Sequence, residues 1–187
     1  LSLPSKNIDK LKDLIDDITF LNKVRLNIAV EHDDESFLKL KIKIRDKIVA
    51  DGLKEFDYDL EKNGEHVNAE QFNSLLEDKN TITVDMRNHY ESEIGHFKGA
   101  DLPDVDTFRE SLPIINDKYK NQKTKKNILM YCTGGIRCEK ASAYLIKNGY
   151  RNVYQLEGGI IEYARQIKKH DIENKFVGKN FVFDNRR

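Results

Sequence analysis

Ile128-Leu129-Met130-Tyr131-Cys132-Thr133-Gly134-Gly135-Ile136-Arg137-Cys138 runs from four apolar residues into a cysteine, a glycine pair and an arginine. The apolar run, extended back to Asn127, reads as a buried strand that delivers Cys132 to its tip. A helix is expected to follow over residues 139–147, stopped at Asn148-Gly149. Between strand and helix, Thr133-Gly134-Gly135 can curl backbone N–H groups inward, because glycine accepts the dihedral angles that this needs. Such a nest of amides, together with the positive end of the following helix, favours an anion at its centre. Arg137 adds a permanent charge. All three stabilise thiolate over thiol, and comparable sites bring a cysteine pKa from ~8.5 to roughly 3.5–7.5. The competing reading is that Cys132 merely packs at a strand end, since cysteine is among the residues most often buried. Two glycines and an arginine at one strand-to-helix junction favour the reactive reading.

Loop length narrows the chemistry. Cysteine phosphatases hold phosphate in a loop with five residues between cysteine and arginine; here there are four, Thr133 to Ile136. A smaller ring of amides suits a bound sulfane sulfur better than a tetrahedral phosphoryl group. Cys138, on the first turn beyond Arg137, could resolve a persulfide as a disulfide, but simple packing is the favoured role.

Working outward, residues 81–86 and 152–156 read as two further buried strands. Residues 69–76, 105–112 and 160–168 read as helices. Strands alternating with helices at this spacing predict a parallel sheet covered on both faces. Ligands of such sheets bind beyond the carboxyl ends of the strands, where Asp85, Cys132 and Gly158 are expected. The fold class is therefore α/β.

Residues 1–50 carry a different pattern. Asn7 is a plausible cap for a helix over 8–18, with Ile8, Leu11, Leu14, Ile15 and Ile18 at helical spacing. Val24 to Val30 alternates like a half-buried strand. Leu38, Leu40, Ile42 and Ile44 alternate with a basic ladder of Lys39, Lys41, Lys43 and Arg45. The ladder could grip RNA phosphates; a lysine-rich strand that resists edge pairing explains it equally well. One helix and two strands predict part of a small α/β sandwich of ferredoxin-like type. Residues 51–65, polar and holding Gly52 and Gly64, read as a linker, and 171–187 as the start of a C-terminal extension. His32-x-Asp34 superficially suggests part of an iron triad, but a solvated loop is the expectation.

Composition sets outer bounds. Of 187 residues, 39% are hydrophobic and 34% charged, with Lys+Arg and Asp+Glu both at 32, so no global field announces a nucleic-acid partner. No run approaches the ~20 apolar residues of a membrane span, and no signal peptide is visible. Two cysteines without a second pair or nearby histidines argue against a disulfide framework and against zinc, and the expected location is the cytoplasm. The absent initiator methionine leads us to expect a trimmed fragment.

Taken together, the motifs resemble the rhodanese superfamily over roughly residues 66–170. Val84-Asp85-Met86-Arg87, then Glu91, then Gly95-His96-Phe97-Lys98-Gly99-Ala100 is similar to its Asp-x-Arg…Glu…Gly-His-Ile-x-Gly-Ala signature. Cys132 to Arg137 resembles its active-site loop, and Leu156-Glu157-Gly158-Gly159-Ile160 its Gly-Gly segment. A narrower resemblance rests on Met86-Arg87-Asn88-x-Tyr90-Glu91, Cys132 to Lys140, and Phe181-Val182-Phe183-Asp184. These are similar to the bacterial rhodanese-related tRNA uridine hydroxylases. That resemblance implies oxygen-dependent hydroxylation of the tRNA wobble uridine to 5-hydroxyuridine, with tRNA as partner and dioxygen as co-substrate. It also implies an α/β domain ahead of the rhodanese domain and a cysteine-rich tail behind it. This chain lacks the tail.

Around Cys132, the ion pair of Asp85 and Arg87 is expected to brace the loop in a structural role. His96 is expected to bond backbone rather than act as general base, and Gly158-Gly159 to let backbone approach the pocket. No flavin, nicotinamide, iron or other metal motif is visible. One route for the hydroxylase is thiolate addition at C6 of an extruded uracil. The alternative is a sulfurtransferase that carries sulfane sulfur on Cys132 between a donor and an acceptor. A third reading is a regulatory module without chemistry, which the intact Cys132 and Arg137 argue against.

Overall fold

A computed structural model describes residues 5–22, 24, 26, 44, 47 and 49–181. The chain divides into two compact units, Leu1–Asp46 with Phe183–Arg187, and Lys47–Val182. In the first, helix α1 spans Ile8–Asp16 and follows a 3-10 turn, Ser5–Asn7. Asn7 does not cap it. At φ −102° and ψ 1° it belongs to that turn, outside the extended region from which a cap side chain reaches back to the helix amides. The expected strands, the basic ladder Lys39, Lys41, Lys43 and Arg45, and His32-x-Asp34 lie outside the described residues, apart from isolated positions; so does the ferredoxin-like topology.

The second unit is built on the apolar run around residue 130. Strand β1 is Glu65–Val67, β2 is Thr81–Asp85, β4 is Asn127–Tyr131 and β5 is Asn152–Leu156. They form a parallel sheet in the order β1-β5-β4-β2, in register at pairs such as Val84 with Met130 and Leu129 with Tyr154. Strand β4 is central and shows no polar alternation because both its faces are covered. Ile128 and Met130 pack on one face with Val84, Met86, Leu112, Ile115 and Leu145. Leu129 and Tyr131 pack on the other with Val67, Phe72, Phe97, Leu156, Ile160 and Tyr163. Each such side chain, fully buried, contributes about 1.5–3 kcal/mol.

Helices supply both covers. Helix α2 (Ala69–Glu77) starts in a reciprocal cap, in which Asn68 Oδ1 accepts from the Gln71 amide at 2.9 Å and Gln71 Oε1 from the Asn68 amide at 3.0 Å. Helices α3 (His89–Ile94), α4 (Phe108–Lys118), α5 (Ile136–Lys147) and α6 (Gly159–His170) complete the set. Helix α4 begins three residues later than expected and runs six further. Pro113 inside it removes one backbone hydrogen bond, but burial of Leu112 and Ile115 on either side carries the helix through. Helix α5 begins at Ile136, three residues earlier than expected, directly after Gly135 in the left-handed conformation at φ 91°.

Residues 51–65, expected as a linker, pack against this unit. Asp51 is buried, Leu53 lies on the core, and the Gln155 side chain donates to the Gly64 carbonyl at 2.9 Å. Gly64 serves close approach here: a Cβ would stand 2.9 Å from that of Ser142. A small antiparallel pair joins β3 (Gly95–Phe97) to β6 (Phe176–Gly178), so the start of the expected C-terminal extension is paired to the signature Gly95-His96-Phe97. No helix among the described residues is long and apolar enough to cross a membrane.

Candidate active site

Cys132 continues the alternation of β4 one step past its end. It therefore turns to the face held by Met86, Ile128, Met130, Cys138 and Ala141, and is 2% exposed. The amide of Gly135 donates to its Sγ at 3.1 Å. The amides of Arg137 and Cys138 donate as well, because helix α5 starts with those groups aimed at the sulfur. The strongest stabilisation of the thiolate comes from the Cys138 thiol, which donates to it. Burial opposes ionisation, and the Arg137 charge and the loop amides favour it, so the pKa falls from an ordinary 9.0 to about 6. Cys138, wholly buried beside a thiolate, is pushed in the opposite direction and keeps its proton.

Two expectations change here. We expected the sulfur to sit at the floor of an open cradle, and it is covered, because the residue that ends a fully buried strand inherits the strand's packing. We also expected Cys138 to pack or to resolve a persulfide, whereas it is the chief hydrogen-bond donor to the reactive sulfur. A neutral thiol on the first helical turn can reach back in this way only because α5 begins at Ile136.

Arg137 is not free to serve the thiolate alone. Its guanidinium meets Glu91 of α3 in a two-pronged ion pair, Nη1 to Oε2 at 2.6 Å and Nη2 to Oε1 at 2.8 Å. Thr133 Oγ1 lies between them, 3.2 Å from Glu91 Oε1 and 3.3 Å from Arg137 Nη2. Glu91 also accepts from the Asn88 amide at 3.1 Å, closing the first turn of α3. Burial resists its ionisation, but Arg137, the Asn88 amide and Arg87 hold its carboxyl below the usual range. Glu91 was visible in the sequence only as one letter of a motif. Its partnership with Arg137 spans 46 residues, and no local pattern announces it.

Asp85 and Arg87 sit fully buried at the end of β2. Arg87 Nη2 reaches Asp85 Oδ2 at 2.6 Å and the Gly95 carbonyl at 2.5 Å, and Nε reaches Asp85 Oδ1 at 2.9 Å. The rings of Tyr131 and Phe176 flank the guanidinium at 5.7 and 5.8 Å. The pair thus ties β2 to α3 and β3. His96, on β3, bonds the Ser92 carbonyl through Nδ1 at 2.9 Å.

Gly158 and Gly159 both adopt left-handed dihedrals, φ 66° and 65°. A Cβ on Gly159 would stand 2.4 Å from the Cys132 carbonyl oxygen and 2.7 Å from the Gly134 nitrogen. That closeness lets the first amides of α6 donate to the loop, Ile160 to Cys132 O at 3.0 Å and Ile161 to Thr133 O at 3.2 Å. The loop is held from inside by α5 and from outside by α6. A separate cleft of about 550 Å³, lined by Asp51, Phe56, Arg109, Pro113, Tyr144 and Lys147 among others, does not include Cys132. Among the described residues no three His, Cys, Asp or Glu side chains gather as a metal site.

Residues 68–166 match the family model "Rhodanese-like domain". The whole chain is 51% identical, over 187 residues, to a protein of Photorhabdus laumondii named tRNA uridine(34) hydroxylase, and covers 53% of it. It is 54% identical over 186 residues to a Leptospira interrogans protein of the same name, and covers 50% of that one. The chain thus spans about half the length of these relatives. A solved rhodanese-like domain protein from Staphylococcus aureus is similar over 53% of this chain and 90% of its own, at 26% identity and a TM-score of 0.42. With its parallel α/β sheet, its strand-end cysteine loop and this match over residues 68–166, the chain belongs to the rhodanese-like domain family.

Proposed function

We propose that this chain is the rhodanese-bearing part of an enzyme that hydroxylates the wobble uridine of tRNA to 5-hydroxyuridine, with dioxygen as co-substrate and Cys132 as the nucleophile. The observation that carries the chemistry is a buried sulfur with a pKa of about 6, ionised at neutral pH without a metal or an external base. The names of relatives at 51–54% identity supply the substrate.

The thiolate adds to C6 of the uracil, which breaks the C5=C6 double bond and leaves its electron pair at C5. That carbon bonds one oxygen atom of dioxygen. Two electrons and two protons from a thiol reductant release the other as water. Loss of the C5 proton and of Cys132 then restores the double bond. The chain's residues hold the thiolate through the Gly135, Arg137 and Cys138 amides and the Cys138 thiol. Because Cys132 is 2% exposed, the base must displace loop side chains above it. Ile136, half exposed on the loop, and Thr133 are the groups in position to yield.

The test is nucleoside mass spectrometry of tRNA from cells lacking the gene, complemented with the full-length protein. Wild type restores 5-hydroxyuridine and Cys132→Ala does not. Equal 5-hydroxyuridine in both overturns the reading.

A further inference from the structure

The charges around Cys132 can be counted. Asp85 and Arg87 are fully buried and face each other at 2.6 Å. Glu91 and Arg137 face each other at 2.6 and 2.8 Å, with Glu91 wholly buried and Arg137 only 15% exposed. The four residues between Cys132 and Arg137 are Thr133, Gly134, Gly135 and Ile136, none of them charged. The nearest lysine on the same helix, Lys140, is turned away to Asp51 at 3.7 Å and to the ring of Tyr58 at 3.9 Å. Each arginine is thus balanced by a carboxylate, and an ionised Cys132 leaves the group with one net negative charge. The loop amides cannot offset this for an incoming ligand, because those of Gly135, Arg137 and Cys138 are already directed at Sγ.

We propose that Glu91 determines which charge class of substrate reaches Cys132: by neutralising Arg137 it makes the site select uncharged electrophiles, such as a bare pyrimidine ring, over anionic sulfur donors such as thiosulfate. In naming the pyrimidine this rests on the hydroxylase reading above; the charge argument itself does not. An isolated arginine beside the thiolate would draw a dianion in, whereas a paired one leaves only repulsion between thiolate and donor. An extruded base enters without its phosphate and escapes that repulsion.

The test uses two alkylating agents of one size and one chemistry. Iodoacetamide is neutral and iodoacetate is an anion, and both are attacked by the same thiolate. The ratio of their rates at Cys132, followed by peptide mass mapping at constant pH, cancels both thiolate fraction and steric access. With N-acetylcysteine as reference, the wild-type ratio of neutral to anionic reagent is expected to be about tenfold higher. Glu91→Gln, which keeps the size and a hydrogen-bond acceptor for the Asn88 amide, should bring the ratio down to the reference or below it. A wild-type ratio at or below that of N-acetylcysteine overturns the proposal, whether or not the variant folds. So does a folded Glu91→Gln protein with an unchanged ratio, or brisk thiosulfate–cyanide turnover by wild type. Loss of the tRNA reading alone, with the ratio as expected, leaves the charge selection standing and changes only the substrate's name.

Discussion

Two arginine–carboxylate pairs lie within one short stretch of the fold, and they do different work. Arg87 with Asp85 is sealed, each side chain wholly buried, with two aromatic rings and the Gly95 carbonyl completing the guanidinium's surroundings. Arg137 with Glu91 is of similar geometry but stands beside a thiolate, and its arginine keeps a small exposed edge. The first pair joins elements that never touch substrate; the second sets the electrostatics of the one nucleophile. Identical chemistry thus becomes scaffold or reactive centre according to what the third neighbour is.

Breaking the sealed pair should have the largest effect. Arg87→Met leaves Asp85 buried and unpaired, which costs about 3–5 kcal/mol, read as a lower urea midpoint. Glu91→Gln should cost less, about 1.5–3 kcal/mol for hydrogen bonds to a charged group. Its distinguishing mark is at the thiolate. Removing a negative charge near Cys132 lowers its titration midpoint below about 6, followed by thiolate absorbance at 240 nm. If Arg87→Met shifted that midpoint as much, the division between the two pairs would fail.

Cys138→Ala removes the principal donor to the sulfur, and the midpoint should rise by about 1–2 pH units. Stability carries a matching pH dependence. The folded pKa of Cys132 is depressed from 9.0 to about 6, so its contribution is complete above pH 9 and is lost as the pH falls to 6. In Cys132→Ala that slope between pH 6 and 9 should flatten. The smallest effect belongs to exposed pairs such as Lys120 with Asp117 at 2.8 Å; Asp117→Asn should leave both urea midpoint and thiolate titration unmoved.

What could be read from the chain in advance follows the range of the interactions involved. The buried character of residues 127–131, the alternation of strands with helices and the anion-favouring glycines after Cys132 are local, so they were visible. The Gly64 close approach was misread because a glycine in a polar stretch resembles flexibility, while its cause, Ser142 and Val153, lies far along the chain. Strands β1, β3 and β6 have three residues each, too few to establish a period of two. The covered state of Cys132 follows from the alternation Ile128, Met130, Cys132, and was legible to anyone who carried that count one residue past the strand. Glu91's hold on Arg137 was not legible at all, since nothing near either residue encodes it.

The glycines of the loop differ in what they tolerate. Around Gly134 nothing stands within 4 Å of where a Cβ would be, while at Gly159 backbone atoms crowd to 2.4 Å. New side chains can therefore enter this pocket from the loop but never from the opposing turn. Any diversification of what the nucleophile meets is confined to one wall, with the other serving as a fixed template against which substitutions are tried.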